Sequence, residues 1–284
     1  MKVYFDLFNQ SLAVNLWVII AIIIAFVAGM AFYHWLTFEF LPNSFKLYSW
    51  WFSLRNHKRY GEPCKTDKVI DRRGYSLGYH YEHRNALWVS YIVSRFSVGV
   101  EIDRRDEFYA DEDIPEKYRV SPSDFRGSGY DKGHLAPYAS VDFNYKSSAE
   151  TFAMSNIALQ NSGLNRKAWR SLENHIRNWT HEKGRLVVVT GPIFNNSPKK
   201  VKHISVPSAF YKVIYAPKHK RFLGFVFPNT DISARQIWDY AMPVEAVEKQ
   251  TGYTFYSSLS RRKQAHKTST CLLYTSPSPR DPNR

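Results

Sequence analysis

From Leu12 to Trp35 the chain carries no Asp, Glu, Lys or Arg, and Ile19 to Ala28 is almost wholly aliphatic. A run of that length can cross a bilayer as one helix, which takes ~20 apolar residues. Trp17, Tyr33, Trp35, Phe38 and Phe40 lie near its edges, where interface anchors belong. A single transmembrane helix over residues 12–36 is therefore expected, behind a short segment 1–11. A cleaved signal peptide is the rival, since Ala28 to Ala31 offers small residues. The length of the run, the scant positive charge before it and the bulky aromatics after it favour an uncleaved anchor. Residues 37–59 are aromatic-rich without a strong period and read as a juxtamembrane connector.

Beyond the connector the pattern alternates between periods of two and of about 3.6. Val69 to Tyr75 reads as a strand and turn. Ala86 to Arg95 places Leu87, Val89, Tyr91 and Val93 on one face and Ser90 and Ser94 on the other, which predicts a half-buried strand. Asp103 to Phe108 reads as a charged loop, and Asp111 to Glu116 as an acidic stretch turned away from any anionic partner. Ser147 or Ser148 is expected to cap a short helix through Thr151. Leu164, Ala168, Leu172, Ile176 and Trp179 form an apolar stripe at helical spacing. Asn165, Glu173 and Arg177 fall on a neighbouring stripe, because eight and four residues are close to whole turns. Arg185 to Thr190 reads as a buried strand. Ala209 to Tyr215 and Phe222 to Phe227 read as a hairpin, and Ser233 to Tyr240 and Val244 to Thr251 as helices, the second ended by Gly252. Sheet and helix without regular alternation predict an α+β fold over residues 60–260.

Composition sharpens this picture in two ways. The net charge of +14 over 284 residues favours a polyanionic partner, either nucleic acid or an acidic membrane surface. The two cysteines, Cys64 and Cys271, lie far apart with no Cys/His cluster, which argues against a structural zinc site or a disulfide framework. Residues 261–284 read as a polar tail. Within it, Cys271 to Asp281 resembles one reading frame of a common transposon-derived sequencing adaptor, so 271–284 is expected to be a sequencing artefact and is left out of fold reasoning.

The candidate chemistry centres on Gly127-Ser128-Gly129-Tyr130-Asp131-Lys132-Gly133-His134. An imidazole that titrates near neutrality can take a proton from water, and a neighbouring cation can sit on a phosphate oxygen. The glycines let the backbone approach a bulky polyanion. Taken singly, an Asp-x-Gly-His is more often a surface loop. Downstream, however, stand Ser155-Asn156-Ile157-Ala158-Leu159-Gln160 and Leu164-Asn165-Arg166-Lys167-Ala168-Trp169-Arg170-Ser171-Leu172-Glu173. These three blocks, in this order, resemble the DNA/RNA non-specific endonucleases, the ββα-metal (His-Me finger) nucleases, and most of all their endonuclease G-like branch. The visible departure is Lys132, where that family usually has Arg.

The resemblance implies an α+β, ββα-metal nuclease fold with a central, mainly antiparallel sheet. It implies His134 as general base and Asn165 as the single protein ligand of Mg²⁺, with Mn²⁺ an expected substitute and Glu173 reaching the ion through water. Arg177, Lys132 and Arg104 would contact the phosphate, with Arg105 one residue away as the alternative to Arg104. Asp131 is read as structural, and Tyr130, Pro137 and Trp169 as packing. DNA and RNA are the expected substrates, cleaved without sequence preference because phosphate contacts carry no base information. A homodimer is an option, since relatives are often dimers. Lys46, Arg55, Lys58 and Arg59 follow the expected span, so the positive-inside rule would hold the nuclease in the cytoplasm. The hazard of a non-specific nuclease to its own chromosome argues for the non-cytoplasmic side, and that placement is the expectation. Two rivals stand beside the enzyme: a catalytically impaired nucleic-acid receptor, for instance in DNA uptake, and a phosphodiesterase for small molecules.

Overall fold

The computed structural model describes residues 16–30, 56–95, 97–98, 107–143 and 145–268. The chain separates into two compact units, Met1–Tyr48 and Ser49–Arg284. In the first, residues 16–30 are helical, with Trp17, Ile22 and Phe26 among the exposed side chains. At 1.5 Å per residue this helix is ~22 Å long, short of the ~30 Å of a bilayer core. No described helix is long and apolar enough to cross a membrane. The described helix thus falls short of the expected span over 12–36, whose two ends lie outside the described residues, as does nearly all of the connector.

In the second unit, β1 (Lys68–Asp71), β2 (Tyr75–His80), β3 (Asn85–Val93), β6 (Leu186–Ile193), β9 (Ala209–Ala216), β10 (Arg221–Pro228) and β11 (Ala241–Met242) form one seven-stranded sheet in the order β1-β2-β3-β6-β9-β10-β11. Every neighbouring pair is antiparallel. A second, two-stranded sheet joins β4 (Asp131–His134) to β5 (Ile157–Gln160), and a third joins β7 (Lys200–Val201) to β8 (Ile204–Ser205). The expected α+β fold with an antiparallel central sheet is observed.

The large sheet is covered on both faces. On one, Tyr91, Val188, Phe210, Ile214 and Phe225 pack against Trp169, Leu172 and Ile176 of the long helical segment. On the other, Ile92, Val187, Val213 and Phe222 pack against Val244 and Val247 of a helix, α2 (Val244–Thr251), and against Phe255 and Tyr256 beyond it. Gly252 ends α2 in the left-handed region at φ 71°, as expected. Two covered faces explain why β3, expected half-buried, is buried at every position. Ser90 remains satisfied there by donating to the His57 carbonyl at 2.7 Å. A register shift between β2 and β3 at Gly78/Tyr79 skips Leu87, and Leu87 joins Ile92 on the α2 side instead of Val89 and Tyr91.

The long helical segment starts earlier and runs further than its apolar stripe suggests. Asn161 caps it, its side chain accepting from Gly163 N and Leu164 N. After Ser162–Leu164 the backbone widens into a π turn over Asn165–Trp169, then continues as the α-helix α1 (Arg170–Lys183). Such widened turns occur mostly singly inside helices and frequently at functional sites. Ser147 and Ser148, expected as caps, lie buried inside the short helix Tyr145–Glu150. The expected polar tail is partly built into the domain: Lys267 is buried and pairs with Glu248 at 2.8 Å. Residues 269–284, including the suspected artefact, lie outside the described residues.

Candidate active site

The segment carrying His134 is held rigidly before it does any chemistry. Gly127 and Gly129 take φ values of 71° and 78°, left-handed conformations that side chains disfavour, and turn the chain into β4. Along β4 the register is Asp131↔Gln160, Lys132↔Leu159, Gly133↔Ala158 and His134↔Ile157. Gln160 fills the space above Gly133, where an added Cβ would come within 2.3 Å of its Oε1. Just past His134, Asn156 clamps the backbone. Its Oδ1 accepts from Ala136 N at 2.9 Å, and its Nδ2 donates to Ala136 O at 3.0 Å and Thr151 O at 2.9 Å. The Ser-Asn-x-x-x-Gln block is thus scaffolding for the histidine. Ser155 donates to Asp111, which is buried and paired with Arg72 at 2.6 Å. Asp111 therefore points into the fold, while Glu112 and Asp113 beside it are exposed.

The His134 ring lies 5.6 Å from the Phe108 ring and meets Phe152 edge-on at 5.2 Å. Its carbonyl accepts from Trp169 Nε1 at 3.3 Å, which ties β4 to the π turn. Between the two lies an open cleft of about 290 Å³. Lys132 and His134 line it from β4, Asn165 from the π turn, and Glu173 and Arg177 from α1. Five of the six residues expected at the site converge there. The sixth, Arg104, lies outside the described residues.

Asp131 plays the structural part expected of it. Its carboxylate accepts from Asn165 Nδ2 at 3.0 Å, from Ser162 Oγ at 2.9 Å and from both Nε and Nη2 of Arg166 at 2.8 Å. Partial burial works to raise its pKa, but the bonds from Arg166, Asn165 and Ser162 outweigh it and hold the carboxyl below its ordinary value. With Nδ2 given to Asp131, the amide oxygen is what Asn165 presents to the cleft. A lone amide oxygen beside open space suits a hard cation that keeps most of its waters.

Sequence reasoning missed three residues. Arg166 and Arg170 line the cleft and add positive charge to its rim. Lys212, in the middle of β9, is fully buried behind the cleft, 3.3 Å from Glu173 Oε1. Burial pushes the Glu173 carboxyl up and the Lys212 ammonium down from their ordinary values, and the attraction between them opposes both shifts. The signal was a charge at the centre of the strongly apolar run Ala209 to Tyr215. Trp169 is buried, as a packing residue should be, and Lys132 Nζ sits 4.8 Å over the Phe108 ring.

Known proteins resemble this chain in sequence and in fold. A model of the DNA/RNA non-specific endonuclease family matches residues 55–262. A nuclease of Syncephalastrum racemosum is 32% identical over 231 residues, covering 72% of each chain. The mitochondrial endonuclease G of Homo sapiens is 31% identical over 229 residues, covering 75% of this chain and 77% of that protein. Among solved structures, the EndoG/EndoGI complex, concerned with EndoG inhibition, aligns with a TM-score of 0.66 at 31% identity, over 72% of this chain and 92% of its own. Fold, cleft and these likenesses agree, and the chain belongs to the DNA/RNA non-specific endonuclease family, as an endonuclease that hydrolyses phosphodiester bonds.

Proposed function

We propose that the enzyme cleaves DNA and RNA without sequence preference, with His134 as general base and Mg²⁺ as cofactor. The observation that carries this reading is the meeting of an imidazole, an amide oxygen and several cations in one open cleft. Asn165 would hold the ion directly, with Glu173, on the cleft wall, holding it through water. When bound, Mg²⁺ would offset the negative charge of the phosphate and of the departing alkoxide. His134 takes the proton from the attacking water, a role worth ~10²–10⁴-fold in rate. Lys132 and Arg177 neutralise phosphate charge as it builds, and Arg104 is proposed to join them. Arg177 is directed by its bonds to Ser140 Oγ at 3.4 Å and to Asn174. A Lys at 132 supplies a point charge where Arg would supply a bidentate fork, so phosphate is held there by charge more than by geometry.

The experiment is nicking of supercoiled plasmid with Mg²⁺ and with EDTA, by the parent and by His134→Ala. The parent should nick only with the metal, and the variant should be at least ~100-fold slower at unchanged melting temperature. A variant as fast as the parent overturns the assignment of the base; DNA binding without nicking points to a nucleic-acid receptor instead.

The membrane tether is likewise part of the proposal: a single-pass anchor with the nuclease domain on the non-cytoplasmic side. The charge-free run from Leu12 to Trp35 and the exposed apolar side chains of residues 16–30 support it. Resistance to carbonate extraction, and protection or exposure of the domain to protease in intact cells, test the anchor and its orientation.

A further inference from the structure

Lys212 stands on the face of β9 that the long helical segment covers, with Phe210 and Ile214 on either side along the strand. None of its surface is exposed. An ammonium in an apolar core is costly unless a partner compensates it. Among the described residues, the one carboxylate within ion-pair distance is Glu173, at 3.3 Å. Tyr91 Oη lies 3.4 Å away, and Nζ also lies 4.0 Å from the centre of the Trp169 ring.

Two of these contacts, Glu173 and Trp169, lead to the cleft. Glu173 is only 9% exposed, yet it forms part of the cleft wall. Trp169 donates its indole N–H to the carbonyl of His134. The lysine therefore lies behind the cleft, against a carboxylate that faces substrate from the front.

We propose that Lys212 is a positioning residue that fixes the Glu173 carboxylate from behind, engaging Oε1 so that Oε2 is held towards the cleft. The inference rests on the nuclease reading above. A fixed charge anchored in the central sheet holds this carboxylate more tightly than a water or a mobile surface lysine could. Its contribution belongs to the rate of the bound complex rather than to substrate affinity, because Lys212 itself never reaches the nucleic acid.

The test is a double-mutant cycle in the full chain: Lys212→Met, Glu173→Gln and the two combined, with kcat and KM for plasmid nicking measured separately in Mg²⁺. Lys212→Met should lower kcat on the order of 10- to 100-fold, the scale of a small misplacement, with KM within about twofold. In the Glu173→Gln background the same change should cost nothing further in kcat. A folded Lys212→Met enzyme at parental kcat overturns the proposal. So does a double variant well below Glu173→Gln alone, which would mean that the lysine acts independently of the carboxylate. Should Lys212→Met fail to fold, Lys212→Leu takes its place in the same cycle, and a folded Lys212→Leu enzyme at parental kcat overturns the proposal. A parent that nicks normally beside an unaffected Lys212→Met overturns only this inference, whereas a parent that does not nick overturns the nuclease reading beneath it.

Discussion

At the scale of single residues, burial decides which ionisable groups do structural duty. His57 is 3% exposed, its Nε2 lies 3.2 Å from the Arg73 carbonyl, and burial pushes its pKa down to about 4 from 6.5. The folded state thus prefers the neutral ring. Above pH 6.5 both states are neutral and the contribution to stability is complete. As pH falls from 6.5 towards 4 the unfolded chain binds a proton that the native chain does not, and stability declines by on the order of 3 kcal/mol. Melting temperature should therefore drop across this window, and His57→Gln should flatten the drop. An unchanged slope in the variant would place the acid sensitivity elsewhere. Lys212 shows the opposite arrangement: its buried ammonium is paired, and Lys212→Ala should cost about 3–5 kcal/mol in denaturant unfolding because the buried Glu173 loses its ion-pair partner.

At the scale of elements, the site is a joint between β4, β5 and the start of the long helical segment. Neither short strand could hold its place alone. Asn156 locks the exit of β4 to the entry of β5 through two buried hydrogen bonds to Ala136, with a third to the Thr151 carbonyl, and Trp169 ties the His134 carbonyl to the π turn. Asn156→Ala strands the Ala136 N–H and two carbonyls away from water, at about 1–3 kcal/mol for each unsatisfied group. We expect a loss of at least about 3 kcal/mol, read from urea unfolding, together with a fall in kcat as His134 loosens. A variant that loses stability but keeps full kcat would show that Asn156 serves the fold without serving the histidine. The π turn matters for the same reason. It carries Asn165 into the cleft while Asp131 fixes which face of the amide points there.

At the scale of the whole molecule, charge governs the encounter with substrate. The net charge of +14 is distributed so that Lys132, Arg166, Arg170 and Arg177 surround one cleft. With Arg166 held by Asp131, three phosphate contacts would give a slope of log affinity on log salt of about −2.7, or roughly a 40-fold loss between 50 and 200 mM. Fluorescence anisotropy with a labelled duplex and an inactive His134→Ala protein measures this directly. The same slope for unrelated sequences is expected, because the contacts are to phosphate.

Much of this architecture was legible in the chain itself. The alternating run located β3, continuous apolar runs located β6, β9 and β10, and the apolar stripe located the long helix, because local pattern follows from which faces each side chain must bury. The motif blocks pointed to His134, Lys132, Asn165 and Glu173, and helical spacing added Arg177; these five line one cleft. What the chain could not declare depends on residues far apart in sequence. That β3 is covered on both faces, that a bulge turns Leu87 to the other side, and that Asp111 is buried against Arg72 all follow from packing between distant segments. Lys212 is the clearest case. A lysine in an apolar strand reads locally as a flaw, and only the helix packed across that strand supplies the carboxylate that makes its burial tolerable.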